Sequence, residues 1–160
     1  MRLPKVVFAL ALAPLALAFS SALPASQTSA APAKPVVLHL VEHEVHDVEI
    51  NVGNAVDDKY VGDQTIFANT VYTADNKQLA GHDQGICTRT VVGKAWECTF
   101  TLFLKGGQLT IEGPYYDNAD SDLAITGGTG TYVQTRGQLH MHARNVKGTE
   151  YDYVLTLYPA

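Results

Sequence analysis

Beyond residue 35 the chain contains a single serine, Ser121, set in the acidic turn "DNADS". A Ser-His-Asp hydrolase needs an activated serine oriented by a base, and this one gives no sign of either. Basic residues are also scarce, 11 Lys and Arg against 16 Asp and Glu with no cluster among them. An acidic chain repels phosphate backbones, so no nucleic-acid partner is expected. Helical periodicity is missing too, since no ten-residue segment past the linker repeats apolar residues at helical spacing. Cysteine is limited to Cys87 and Cys98. His140 and His142 share one strand face, but no metal-ligand spacing ties them to other donors, so they read as surface histidines and no metal is expected.

The N-terminus has its own pattern. Arg2 and Lys5 precede the apolar run Val6–Phe19, which Pro14 interrupts, and small residues follow. Residues 1–30 read as a signal peptide, cleaved after Ala22 or after Ala30, rather than as a membrane span. Residues 31–35 complete a Pro/Ala/Ser linker, and 36–160 form the domain. Loss of Arg2 and Lys5 takes the formal net charge from −5 to −7. A secreted or periplasmic protein with no stable membrane anchor is expected. In that compartment a Cys87–Cys98 disulfide is the default. The spacing agrees: if Val91–Lys94 is a four-residue hairpin loop, Thr90 opposes Ala95, and Cys87 faces Cys98 in a close, non-hydrogen-bonded pair.

The stretch "LAITGGTGTY" (Leu123–Tyr132) has the look of a phosphate-binding glycine loop. Such a loop needs a helix after it to hold the phosphate, and "TYVQTRGQLHMHARN" has no helical spacing, so a turn between strands is the better reading. Eight strands are expected: Val36–Asp47, Gln64–Thr73, Asp83–Thr90, Ala95–Leu104, Gln108–Gly113, Asp122–Thr126, Tyr132–Arg144 and Glu150–Tyr158. Turn residues separate them, and only Val48–Gly62 is long and irregular. His82-Asp83 reads as turn chemistry at a strand start. The fold class is all-β, an eight-stranded antiparallel barrel, with a sandwich as the alternative. On the fourth strand Trp96, Cys98, Phe100, Leu102 and Leu104 share the face that must be buried. The first strand is ambiguous: Leu38, Leu40, Glu42 and Glu44 share a face, which suits a cavity that keeps acids among leucines. A carboxyl there would have a raised pKa or face a developing cation; the alternative is a frayed strand with both acids in water.

The words "FANTVY" (Phe67–Tyr72), "GICT" (Gly85–Thr88), "IEGPYYDNADSDLAITGGTGTY" (Ile111–Tyr132) and "RGQL" (Arg136–Leu139) resemble the allene oxide cyclase and dirigent barrel families, in the same order through nearly all of Leu38–Leu157. The resemblance implies a calycin-type eight-stranded barrel with a central apolar cavity, usually trimeric, so a homotrimer or homodimer is expected. In plant allene oxide cyclases the cavity binds an unsaturated fatty-acid epoxide. A glutamate there stabilises positive charge, an asparagine-held water grips the oxygen, and the walls fold the chain for ring closure. By position, the resemblance gives the glutamate role to Glu42, the asparagine role to Asn69, and pocket positions to Cys87 and Tyr115. Phe67, Phe100 and Glu44 are expected to line the same cavity. The pattern departs at Glu44, where the family has a second asparagine, at Asn51, where it has a proline, and at Cys98, which lies outside the plant pattern. The function implied is a cofactor-free isomerase or cyclase for a small lipophilic molecule, or a dirigent-like protein that steers coupling. A carrier without catalysis and a barrel filled by its own side chains stay open.

Overall fold

A computed structural model describes residues 34–53 and 60–158. The expected signal peptide, with both expected cleavage positions, and residues 31–33 of the expected linker lie outside the described residues, as do residues 54–59 of the irregular stretch.

The strands are β1 (Val36–His43), β2 (Asp47–Ile50), β3 (Gln64–Thr73), β4 (Leu79–Val91), β5 (Ala95–Leu104), β6 (Gly107–Tyr116), β7 (Ser121–Gly128), β8 (Arg136–Ala143) and β9 (Glu150–Tyr158). All pairings are antiparallel, in the order β1-β9-β8-β7-β6-β5-β4-β3-β2. Strand β1 also pairs with β3, from Leu40↔Thr73 to His43↔Thr70. That seam closes eight strands into a barrel, with β2 as an extra strand further along the same edge of β3.

Two strand expectations fail for the same physical reason: side chains and turns compete with the ladder. The first strand does not run to Asp47. It stops at His43, and the chain resumes as β2 inside the stretch expected to be irregular. At the break, Asn69 Oδ1 accepts the backbone N–H of Val45 at 2.7 Å and of His46 at 3.2 Å. An Asn side chain that takes two adjacent amides pulls the backbone out of register. The strand expected from Tyr132 begins only at Arg136. After β7 the chain makes a short 3-10 turn, Gly130–Tyr132, entered through Gly130 at φ 61°. The glycine run is thus divided: Gly127 and Gly128 finish β7, paired with Thr110 and Leu109, and only Thr129 and Gly130 turn, with no α-helix after them.

The hairpin between β4 and β5 puts Cys87 opposite Cys98, and the two are bonded, with Cα atoms 4.0 Å apart. Its loop differs from the expectation. A bulge pairs Val91, not Thr90, with Ala95, while Arg89 faces Trp96. Thr90 Oγ1 instead donates to the Ala95 carbonyl at 3.3 Å. Strand β4 begins at Leu79, so Asp83 is not turn chemistry but a mid-strand residue paired with Asn69 and Leu102. It faces inward and has 0% exposure.

The interior changes character along its length. Leu102, Leu109, Ile111, Leu123, Ile125, Leu139 and Leu155 are fully buried and fill one end. Toward the other end, inward positions become polar or aromatic: Leu40 gives way to Glu42, Leu102 to Phe100, Cys98 and Trp96, Leu139 to Met141, and Leu155 to Tyr153 and Tyr151. Gly85 helps this change on β4. A Cβ there would lie 2.3 Å from that of Phe100, so only glycine lets the aromatic residue sit opposite it.

Candidate active site

The polar end of the barrel holds a cavity of ≈ 520 Å³, within the usual range for small-molecule sites. Glu42, Glu44, Phe67, Asn69, Cys87, Phe100 and Tyr115, the residues singled out from the sequence, all line it. Cys87 does so as half of a disulfide and not as a thiol.

Glu42, one residue before the end of β1, faces inward and is 3% exposed. Its Oε2 has no hydrogen-bond partner. Burial, reinforced by the charges of Asp83 and Asp47, pushes its pKa up to about 9, with contact from Asn69 opposing the rise. The group therefore holds its proton at neutral pH. Asn69, with its oxygen committed to the Val45 and His46 amides, turns its Nδ2 toward Asp47 Oδ1 at 3.4 Å. Glu44 lies past the end of β1, exposed at the rim, where its amide bonds the Thr149 carbonyl at 3.1 Å.

Beneath the cavity sits a second buried acid. Neither oxygen of Asp83 has a hydrogen-bond partner. Burial raises its pKa to about 7, against the opposing influence of the nearby Tyr153 hydroxyl and Asn69 backbone, which do not reach bonding geometry. The sequence held one signal for it: Asp83 has the same parity as Cys87, so any strand longer by a few residues turns it inward.

The floor is aromatic. The rings of Phe67 and Phe100 meet edge to face at 5.7 Å, and Phe100 lies 6.2 Å from Tyr153. Burial raises the Tyr153 pKa well above its ordinary value. At the mouth, the Tyr115 and Tyr151 hydroxyls are 2.9 Å apart, and burial raises both phenols. Across from them, Arg89 Nη1 donates to both oxygens of Asp117 at 2.7 Å, and its guanidinium lies 3.8 Å above the Trp96 ring. Trp96 Nε1 donates to Asp117 at 3.0 Å and completes the group. Sequence reasoning placed Trp96 inside but gave no site role to Arg89, Asp117, Tyr151 or Tyr153.

The cavity is not simply apolar, as the resemblance implied. Asp47, Glu49 and Asp117 line it beside Glu42 and Glu44. Burial, with repulsion from Asp47, raises the pKa of Glu44, and burial raises that of Asp47 against the opposing influence of Asn69 and His46. His140 and His142 stay on the outer surface, where their Nδ1 atoms meet Asp122 at 2.9 Å and Asp120 at 2.6 Å. Ser121 is buried, its Oγ accepting the Tyr116 N–H at 2.9 Å, which is a structural role.

Comparison with known proteins agrees with this architecture. A pyocyanin demethylase structure is 26% identical with a TM-score of 0.65, over 76% of this chain and 99% of that one. A pterocarpan synthase dirigent protein is 19% identical with a TM-score of 0.70, over 81% and 97%. An exo-specific intermolecular Diels-Alderase is 16% identical with a TM-score of 0.61, over 78% and 98%. The latter two likenesses speak for the fold alone. The family model for allene oxide cyclase matches residues 35–156, and with the closed barrel around Glu42 the chain belongs to the allene oxide cyclase family.

Proposed function

We propose that this chain is an exported barrel that binds a small lipophilic molecule in its polar-end cavity and, without a cofactor, steers ring closure or isomerisation through the Glu42 carboxyl. The observation that carries the reading is Glu42 itself, an acid buried to 3% exposure with an unpartnered oxygen in an aromatic-floored cavity. A carboxyl that is neutral at pH 7 lends its proton to a ligand oxygen or nitrogen as a bond rearranges, and the resulting carboxylate stabilises positive charge developing beside it. Return of the proton from the rearranged ligand restores the acid, so no net proton is consumed. Phe67, Phe100 and Tyr153 supply the shape that holds a flexible ligand in its reactive fold. In this reading the Asn69 Nδ2, which reaches Asp47 at 3.4 Å, also supports the Glu42 carboxylate as it forms.

Export is supported by the Cys87–Cys98 bridge, since disulfides persist in oxidising compartments. Assembly into a trimer or dimer is supported by an outer apolar row in which Val48 pairs with Ile66 and Ile66 with Ile86, with Val48 and Ile66 both exposed.

Native mass spectrometry of protein purified from its own host tests the reading. A co-purified small molecule that wild type converts and Glu42→Gln binds but does not convert supports it. Conversion at the wild-type rate by Glu42→Gln removes Glu42 from the chemistry. The similarity to a pyocyanin demethylase makes loss of a methyl group a second reaction to follow with the same ligand.

A further inference from the structure

The chemistry of the cavity wall bears on what kind of molecule it admits, given the reading of this cavity as a ligand site. Five acids line it (Glu42, Glu44, Asp47, Glu49 and Asp117), against Arg89 and Lys147. The Arg89 Nη1 is held by both oxygens of Asp117, and the guanidinium lies on Trp96. An anionic head group entering here would meet acids at the rim, and like charges placed together in a partly dry site repel strongly. Independently of the rim, the floor presents an unpartnered carboxyl oxygen: Glu42 is 3% exposed, lines the cavity and leaves Oε2 without a hydrogen-bond partner. Behind it both oxygens of Asp83 are also without donors. Phe67, Phe100 and Tyr153 surround this end with ring faces and edges. Acid beside aromatic rings is the combination that recognises a delocalised cation.

We propose that the cavity selects a planar nitrogen-containing aromatic cation and rejects carboxylate-bearing lipids such as fatty-acid derivatives. The cation stacks on the aromatic floor and turns its positive nitrogen toward Glu42. Its arrival favours the ionised form of Glu42, so binding releases a proton: the neutral acid gives up H⁺ to solvent and the carboxylate remains as the counter-ion. The groups that face Glu42 and share in this balance are Glu44 and Asp47 at the rim, Asn69 on β3, Asp83 on β4, Tyr115 on β6, and Tyr151 and Tyr153 on β9.

Three probes of similar size decide the matter by fluorescence titration near neutral pH: N-methylacridinium, a permanent cation; acridine, uncharged in a mildly alkaline buffer; and acridine-9-carboxylate, an anion. The cation is expected to bind at least about tenfold more tightly than acridine, and the anion more weakly than either. Calorimetry in two buffers of different ionisation enthalpy is expected to show net proton release with the cation only. In Glu42→Gln the preference for the cation is expected to shrink to about threefold, with the proton release lost. Equal binding of cation and acridine by wild type, or tighter binding of the anion, overturns the cationic class and leaves the cavity as a site for other lipophiles. A full preference retained by Glu42→Gln overturns the placement of the cation against Glu42. Failure of all three probes to enter overturns this inference together with the ligand-binding reading beneath it. The wild-type series stands even if the variant does not fold.

Discussion

Asn69 Oδ1 and the Val45 amide, 24 residues apart in sequence, meet at 2.7 Å, and this bond sets the corner where the first strand breaks. The same oxygen accepts His46 N–H at 3.2 Å. Replacing Asn69 by Ala strands two partly buried donors, at a cost of about 2–3 kcal/mol. Urea unfolding should show that loss, and hydrogen exchange should speed up at Val45 and His46 before it does at β5 or β6. Unchanged exchange at those two amides would show that the corner is held by something else.

The two buried acids set the pH dependence of stability. The Glu42 pKa is raised from 4.5 to about 9, and the Asp83 pKa from 3.8 to about 7. Each folded pKa lies above the unfolded one, so the folded state binds the extra proton. Stability is therefore greatest below the unfolded values and falls with rising pH, through 3.8–7 for Asp83 and 4.5–9 for Glu42. Glu42→Gln and Asp83→Asn should flatten these windows and make the protein more stable than wild type at about pH 9, by on the order of 1–3 kcal/mol each. Denaturant midpoints across pH check this; a wild-type curve as flat as the variants' would refute it.

Arg89 depends on Asp117. The guanidinium is buried, and Asp117 receives both its Nη1 bond and that of Trp96 Nε1. Asp117→Ala should cost about 2–3 kcal/mol, because it removes the acceptor shared by the Arg89 Nη1 and Trp96 Nε1 donors. The Trp96 emission should also shift, since its indole donor loses its acceptor.

The disulfide spans 11 residues of sequence. Replacing both Cys87 and Cys98 by Ser should lower stability by about 2–3 kcal/mol, the entropy of a short closed loop, without changing the far-ultraviolet spectrum. Loss of the β spectrum in this variant would mean that the bridge is needed for folding itself.

Tyr115 and Tyr151 join β6 to β9 across the mouth through one hydroxyl contact of 2.9 Å. Tyr115→Phe should cost about 1 kcal/mol of stability. Its larger effect should be on ligand exchange, raising the dissociation rate of a bound probe with little change in its association rate.

Strand identity and the inward set on β5 were legible because alternation is strict there: Trp96, Cys98, Phe100 and Leu102 are all buried. The Cys87–Cys98 facing was legible too, even though the loop hides a bulge at Thr90, because that bulge leaves the partners three steps back unchanged. Glu42 could be found from its place among leucines. Asp83 was masked despite its parity with Cys87, because a polar His-Asp pair after Gly81 looks like a turn, and its burial depends on β4 beginning at Leu79. The break at Glu44 was hidden for a related reason: it is made by a side chain from β3, and local alternation says nothing of it. The acidic rim escaped because its members come from different elements, and only closure of the barrel collects them.

The closing seam is short. Four residue pairs join β1 to β3, from Leu40↔Thr73 to His43↔Thr70, whereas β1 and β9 match from Val36↔Leu157 through His43↔Glu150. Short ladders open locally at low cost. Glu42 lies on this one, opposite Val71, so transient parting there would wet the carboxyl without unfolding the rest.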